Sequence, residues 1–492
     1  MALSIVYINI GEGEVDCCFY TNSDMYSVKS SRVVAAILLF CGILFVGCSK
    51  QGTPSSLVSL VPDDAVVVKA VDFEELLSQG GCSRMFDNKG NLLGNAEKVV
   101  SLVVQPDYRD ALTTIMRVAD GVDMSRMVVF TTAQGYEMVV MFVDGVNLVE
   151  SAIDDASGGK CEYSDGYSHA VVGNATVAVG NGCCWIAPDL RAIKETIAKA
   201  SHNHFGTLVG LRQFLESEAS AKVAVNCGNS MLGFLGGNDR WLCISLTTTQ
   251  ASVSALAKVI DRDGNPDPLG DNFKEIDTDF LRYTPDDAAV VLAFGKFSGN
   301  VKALSFLLGR FAPVYLSDAD GTTSLYAVAA SGTPEAVRKH DQGAWNVETM
   351  VHVPQDFLET GLKQYIESSQ GAARKIGDQW TYSSGEGNYY FGAFDGCLVF
   401  SSNREISAGF NNGFTDDFLG KRAAMVINVP VGSVVARAWG LPYGLTLKTA
   451  VESTTWKARI TFIGSEAGAF ESLLALPQLE DFHARFESVM GN

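Results

Sequence analysis

The sequence predicts an α+β fold: two tandem copies of a unit whose antiparallel sheet carries helices on one face. Three observations predict it. Short, alternating, glycine-punctuated segments (Met127 to Thr132, Tyr136 to Val143, Ser168 to Val172, Ala175 to Val179, Cys183 to Ile186) read as strands of a meander. Between them lie stretches with apolar residues at helical spacing behind a capping residue. Four phrases also return later in the chain, in the same order.

Residues Met1 to Asp24 carry Glu12, Glu14, Asp16 and Asp24 but no Lys or Arg, the wrong charge for the start of a secretory signal. Lys29 and Arg32 supply the right one, so residues 1–24 are expected to be a mis-called start and 25–47 a lipoprotein signal peptide. The apolar run Val33 to Val46 has 14 residues, against about 20 needed to cross a hydrocarbon core. It is too short to span. Its ending, Leu44-Phe45-Val46-Gly47-Cys48, resembles a bacterial lipobox, which implies cleavage before Cys48 and lipid attachment to that residue.

Residues 48–59, with Thr53-Pro54-Ser55-Ser56, read as a polar tether, 60–261 as the first repeat unit, 262–280 as a linker and 281–492 as the second repeat unit. The first unit opens with Pro62-Asp63-Asp64-Ala65, a turn feeding a valine-rich strand. Asp72-Phe73-Glu74-Glu75 then supplies an N-cap and a capping-box Glu for a helix. The phrase returns 223 residues on, at Pro285-Asp286-Asp287-Ala288, again before a helical stretch, Val301 to Leu308. Gly173-Asn174 and Gly182-Cys183 recur as Gly387-Asn388 and Gly396-Cys397, 214 on; Ala221 to Asn226 as Ala423 to Asn428, 202 on; Leu242 to Val259 as Tyr443 to Ile460, 201 on. Loop deletions in a duplicated unit give offsets that shrink while order holds. Further helices are expected behind Asp189 (Leu190, Ile193, Ile197, Ala200) and behind Pro354 (Phe357 to Ile366), with caps at Thr333-Pro334 and Ser402-x-x-Glu405.

The chain is 47% hydrophobic and 19% charged, a globular balance. Its net charge is −19; four acidic and two basic residues leave with residues 1–47, which makes −17. Such a surface repels phosphate backbones and anionic headgroups, so no nucleic-acid partner is expected and the membrane is held through the N-terminal lipid. One acyl chain holds only marginally, so the anchor needs several. Beyond Cys48 stand Cys82, Cys161, Cys183, Cys184, Cys227, Cys243 and Cys397, an odd number without a C-x-x-C pair, which defines neither a disulfide set nor a zinc site.

No serine-hydrolase elbow, zinc-helix motif, phosphate loop or dinucleotide fingerprint occurs, so no catalytic residue is assigned and no cofactor is expected. His202 and His204 read as solvated residues at a helix end. The adjacent carboxylates Asp63-Asp64 and Asp286-Asp287 point apart on entering a strand and read as turn residues. Asp261, Asp263, Asn265 and Asp267 alternate oxygens as in the first half of a calcium loop, yet Pro266 stands where that loop needs Gly and Asn272 where it needs Glu. A turn between the copies is the stronger reading. Trp380, Tyr382, Tyr389 and Tyr390 offer an aromatic face for stacking a sugar or peptide, against the commoner use of strand aromatics in cores.

The lipobox, the polar tether and repeats opening in a Pro-x-Asp-Ala turn, a valine-rich strand and a Leu-Leu helix resemble a family of uncharacterised Bacteroidetes lipoproteins, a domain of unknown function. The resemblance implies envelope attachment and a two-copy α+β body, and it implies no activity. Ser49-Lys50-Gln51-Gly52 lacks the acidic cluster of a surface-export signal in that phylum, which points to the periplasmic face of the outer membrane. The expected function is a non-enzymatic binding or assembly module with an envelope protein or glycan as partner. Two alternatives stand beside it: a periplasmic hydrolase acting on glycans, whose carboxylates meet only in the fold, and a carrier of a lipid-like ligand.

Overall fold

The computed structural model describes residues 6–11, 14–21, 24–26, 55–228, 239–268, 274–276, 278–284, 288–295, 327–331, 346–352, 373–384, 387–394, 397–402, 405–407, 409, 413, 415–433, 436 and 441–476. They fall into an N-terminal unit, residues 39–267 with 466–492, and a C-terminal unit, residues 268–465 with 1–38. Near the start of the chain, β1 (Val6–Gly11), β2 (Glu14–Thr21) and β3 (Asp24–Tyr26) form a small antiparallel sheet.

The N-terminal unit begins at α1 (Ser55–Val58), whose Leu57 and Val58 are wholly buried. Folded structure therefore starts inside the segment expected to be tether, because two consecutive apolar side chains find a place in the core. Ten strands follow: β4 (Val67–Val71), β5 (Val122–Thr131), β6 (Glu137–Val143), β7 (Glu162–Ser164), β8 (Tyr167–Val172), β9 (Ala175–Gly180), β10 (Cys183–Ala187), β11 (Ala221–Asn226), β12 (Trp241–Thr248) and β13 (Ser252–Ile260). All pair antiparallel in the order β13-β12-β11-β4-β5-β6-β10-β9-β8-β7. The meander β7 to β10 turns at Asp165-Gly166 and Asn181-Gly182, where both residues of each turn have positive φ, the conformation a two-residue hairpin demands.

Helices α2 (Phe73–Gln79), α3 (Gly94–Val103), α4 (Arg109–Met116), α5 (Val146–Ser157), α6 (Leu190–Ala200) and α7 (Val209–Leu215) connect these strands. Asp72 and Asp189 cap α2 and α6 as expected, accepting from Glu75 N (2.9 Å) and Ala192 N (2.7 Å). The Glu75 carboxylate accepts from Gln79 Nε2 one turn on.

Register assigns the faces of the sheet. Val128, Phe130, Met138, Val140, Trp185 and Ala178 line one face and join Leu57 of α1, Ile193 of α6, Leu211 of α7 and Phe205 in one core cluster. Val129, Val139, Met141, Ile186 and Val177 stand one residue out of step and are buried just as deeply. On that second face, Lys69, paired with Val129, donates to the Val103 carbonyl at the end of α3, and Ser168 donates to Glu150 of α5. The expectation of helices on one face is thus corrected to helices on both. The cause is visible in Met138-Val139-Val140-Met141 and Cys183-Cys184-Trp185-Ile186, which lack polar alternation and need cover on each side.

In the C-terminal unit, β14 (Ala288–Phe294), β15 (Ala327–Ser331), β16 (Asn346–His352), β17 (Ala373–Ile376), β18 (Gln379–Ser384), β19 (Gly387–Phe394), β20 (Cys397–Ser402), β21 (Ala423–Val429), β22 (Gly444–Val451) and β23 (Trp456–Ile463) pair antiparallel in the order β23-β22-β21-β14-β15-β16-β20-β19-β18-β17. Helix α8 (Thr415–Phe418) buries Phe418. The stretches Val301 to Leu308 and Phe357 to Ile366 and the cap at Thr333-Pro334 lie outside the described residues.

After β23 the chain does not stay with the C-terminal unit. Helix α9 (Ala469–Leu474) belongs to the N-terminal one, where Phe470, Leu473 and Leu474 are buried and the Leu474 carbonyl accepts from Lys98 Nζ on α3 at 2.9 Å. Helix α9, expected within the unit running from 281 to 492, belongs instead to the unit before it.

Candidate functional site

Cys48, the expected lipid attachment point, lies outside the described residues. The candidate aromatic face lies on the hairpin β18–β19. Trp380 pairs with Phe391 and Tyr382 with Tyr389, so these four positions share a face, whereas Tyr390, opposite Thr381, belongs to the other. Trp380 and Tyr390 are half-buried. The side chains of Tyr382 and Tyr389 lie outside the described residues.

The loop after β13 brings Asp261, Asp263, Asn265 and Asp267 together around a turn. Asp261 Oδ1 accepts from the backbone N–H groups of Asp263 (3.0 Å) and Asn265 (2.8 Å), and its Oδ2 accepts from Asn265 Nδ2 (2.9 Å). These donors hold the Asp261 carboxyl below its usual range. Arg240 stands among the carboxylates, with Nε 2.8 Å from Asp267 and Nη1 3.6 Å from Asp261. The same turn occurs at Asp87-Asn88-Lys89-Gly90-Asn91, where Asp87 accepts from Lys89 N, Asn91 N and Asn91 Nδ2. Each has a glycine of positive φ in fourth place, Gly90 and Gly264. Asp-x-x-Gly-Asn is a self-capping turn of this chain, and it accounts for the oxygen spacing that resembles a calcium loop.

His202 is exposed, its Nδ1 2.9 Å from the Ala198 carbonyl. His204 bridges Pro62, and beside it Phe205 packs edge-on against Trp241 with ring centroids 4.9 Å apart. Nδ1 of His204 and Nε1 of Trp241 are enclosed without a hydrogen-bond partner. Sequence reasoning missed this pair of buried polar atoms, since neither residue type announces burial by spacing.

The adjacent acids part as expected: Asp63 is half-buried, its backbone N–H donating to the Asn203 carbonyl, while exposed Asp64 pairs with Lys199 at 3.2 Å. Asp286 and Asp287 lie outside the described residues. Burial raises the Asp72 carboxyl to about 6, helped by repulsion from Glu75, Glu74 and Asp123, but its oxygen is committed to capping α2. Cys82, Cys161, Cys183, Cys184, Cys227 and Cys243 are free thiols whose deprotonation burial opposes, with Cys184 pushed up to about 12; none is poised as a thiolate.

The described residues thus define a mixed helical and antiparallel-sheet protein whose polar groups are mostly engaged in turns, caps and ion pairs. No family model matches the chain, and no curated protein matches it. A solved structure, described as crystal form I of TP0453, aligns at 9% identity and a TM-score of 0.25 over 43% of this chain and 80% of its own; so slight a similarity assigns neither fold detail nor function.

Proposed function

We propose that this chain is a lipid-anchored envelope lipoprotein of the Bacteroidetes type, held by Cys48, whose body is a duplicated module for binding or assembly. The observation that carries the duplication is register. Val68 pairs with Ala224, and Val291, 223 residues beyond Val68, pairs with Val426, 202 beyond Ala224. Those are the offsets at which the sequence phrases recur, and the two sheets share one strand order. Cys183 to Gly180 and Cys397 to Phe394 repeat the relation at an offset of 214. The last match needs one change: β13 corresponds to β23 at 201, but pairing sets Leu242 of β12 level with Leu447 of β22, an offset of 205, so the hairpin of the second copy is four residues shorter.

Binding at a surface is favoured over carriage of a lipid in the N-terminal unit, because both spaces between its sheet and helices are occupied by side chains with little or no exposure. The seven residues from Cys48 to Pro54 reach at most about 25 Å when extended, so the anchor would hold the body close to the headgroups. Fractionation of cells expressing wild type and Cys48→Ala tests the anchor: wild type is expected in the membrane pellet with an acylated N-terminal mass, the variant in the soluble fraction. Equal partitioning of the two would sink it.

A further inference from the structure

We infer that this protein assembles head to tail with copies of itself, β7 of one copy adding antiparallel to β17 of the next. Each of these strands ends its sheet. Among the described residues β7 pairs only with β8, and β17 only with β18, which leaves one side of each strand's backbone groups open. Each edge also exposes an apolar side chain, Tyr163 at 76% and Ile376 at 43%.

Charge selects the partner and its direction. Along the first edge run exposed Lys160, Glu162 and Asp165, and along the second exposed Arg374, Lys375 and Asp378. Asp165 also meets Lys194 of its own chain; no carboxylate partner of Glu162's counterparts Arg374 and Lys375 occurs among the described residues. In antiparallel addition with Glu162 opposite Lys375, Tyr163 lies opposite Arg374 and Asp165 lies diagonal to Arg374 on the same face, so both carboxylates of the first edge meet a cation of the second. Parallel addition in that register sets Asp165 opposite Asp378, like charge against like. Two β17 edges would set Arg374 against Lys375. The contact is heterologous, so repetition gives a chain or a ring rather than a closed twofold dimer.

This inference rests on the assembly reading above and names the partner as a second copy; it holds with or without the lipid. Sedimentation velocity of the full chain in detergent, as a dilution series at low and high salt, tests it, with intact mass on the same samples reporting the anchor separately. Wild type is expected to show concentration-dependent species above one copy that salt dissociates. Arg374→Glu/Lys375→Glu and, separately, Glu162→Lys should each weaken self-association about tenfold or more, since each reversal turns attraction into repulsion. Mixing these two variants should restore the series with the two kinds of chain alternating, because the two reversed edges meet each other and the two unchanged edges form the wild-type contact, and combining all three changes in one chain should restore the series as well. A single-copy mass throughout, or assembly that ignores Arg374→Glu/Lys375→Glu as a pairing of two β7 edges would, overturns it.

Discussion

At the residue scale, two glycines hold the self-capping turn after β13 against α7. A Cβ on Gly210 would lie 2.1 Å from Gly264 N, a clash with backbone that no side-chain rotation relieves. Gly210→Ala should cost about 1–3 kcal/mol, read as a lowered urea midpoint, and an unchanged midpoint would contradict the close approach. Trp241 gives a different test. Its Nε1 is enclosed unpaired, so Trp241→Phe should leave stability unchanged or raise it, whereas Trp241→Ala should cost about 3–5 kcal/mol. The turn itself was legible as a turn, but its spacing did not show that Asp261 accepts from the turn's own backbone and that Asp267 pairs with Arg240. Sequence spacing gives the positions of donors and acceptors without saying which way each side chain turns.

Two carboxyl groups should give the stability profile opposite slopes. Burial raises Asp72 from 3.8 to about 6, so between those values the folded chain keeps a proton the unfolded chain has released, and stability falls as pH rises through that window. Hydrogen bonds from Lys421 and Lys457 lower Glu452 from 4.5 to about 2; its contribution is present above 4.5 and is lost as pH falls towards 2. Urea midpoints across this range should lose the first slope in Asp72→Asn, which keeps the cap, and the second in Glu452→Gln. Slopes unaltered in both variants would contradict these assignments.

At the scale of elements, the second helical layer is tied to the sheet by a buried polar link. Glu137, 2% exposed, accepts from Gln105 N at 2.7 Å and faces Lys69 Nζ at 3.5 Å, while Lys69 also donates to the Val103 carbonyl at 2.8 Å. Glu137→Ala leaves a backbone N–H and an ammonium short of an acceptor, and should cost about 3–5 kcal/mol, with amide exchange speeding first in α3 and the loop that follows it. Lys69→Met/Glu137→Leu should recover most of the loss; a double variant as weak as the single one would mean the link holds more than its charges. Strands β5, β6 and β8 to β10 were legible here as short alternating runs punctuated by glycine, whereas the three residues of β7 were too few to show alternation. The pairing of β6 with β10, and of β4 between β5 and β11, was not legible, since long-range register depends on which faces the helices cover.

At the scale of the whole molecule, the strand order common to the two units could be anticipated from phrases that recur in the same order, and the return of α9 could not, because its six residues carry no mark of which unit receives them. That return makes a prediction about distance in sequence. Phe470 is fully buried in the N-terminal unit, Ala469 N donates to the Gln250 carbonyl at 3.0 Å, and Leu474 and Val99 both stand beside Gly80 at the end of α2. Removing the Phe470 ring should therefore loosen α2 and α3, nearly four hundred residues earlier, rather than the strands just before it. Phe470→Ala is expected to cost about 3–5 kcal/mol, and hydrogen exchange should show protection lost across α2, α3 and β13 while β21 to β23 keep theirs. Loss confined to β21 to β23 would mean that α9 serves the unit it follows.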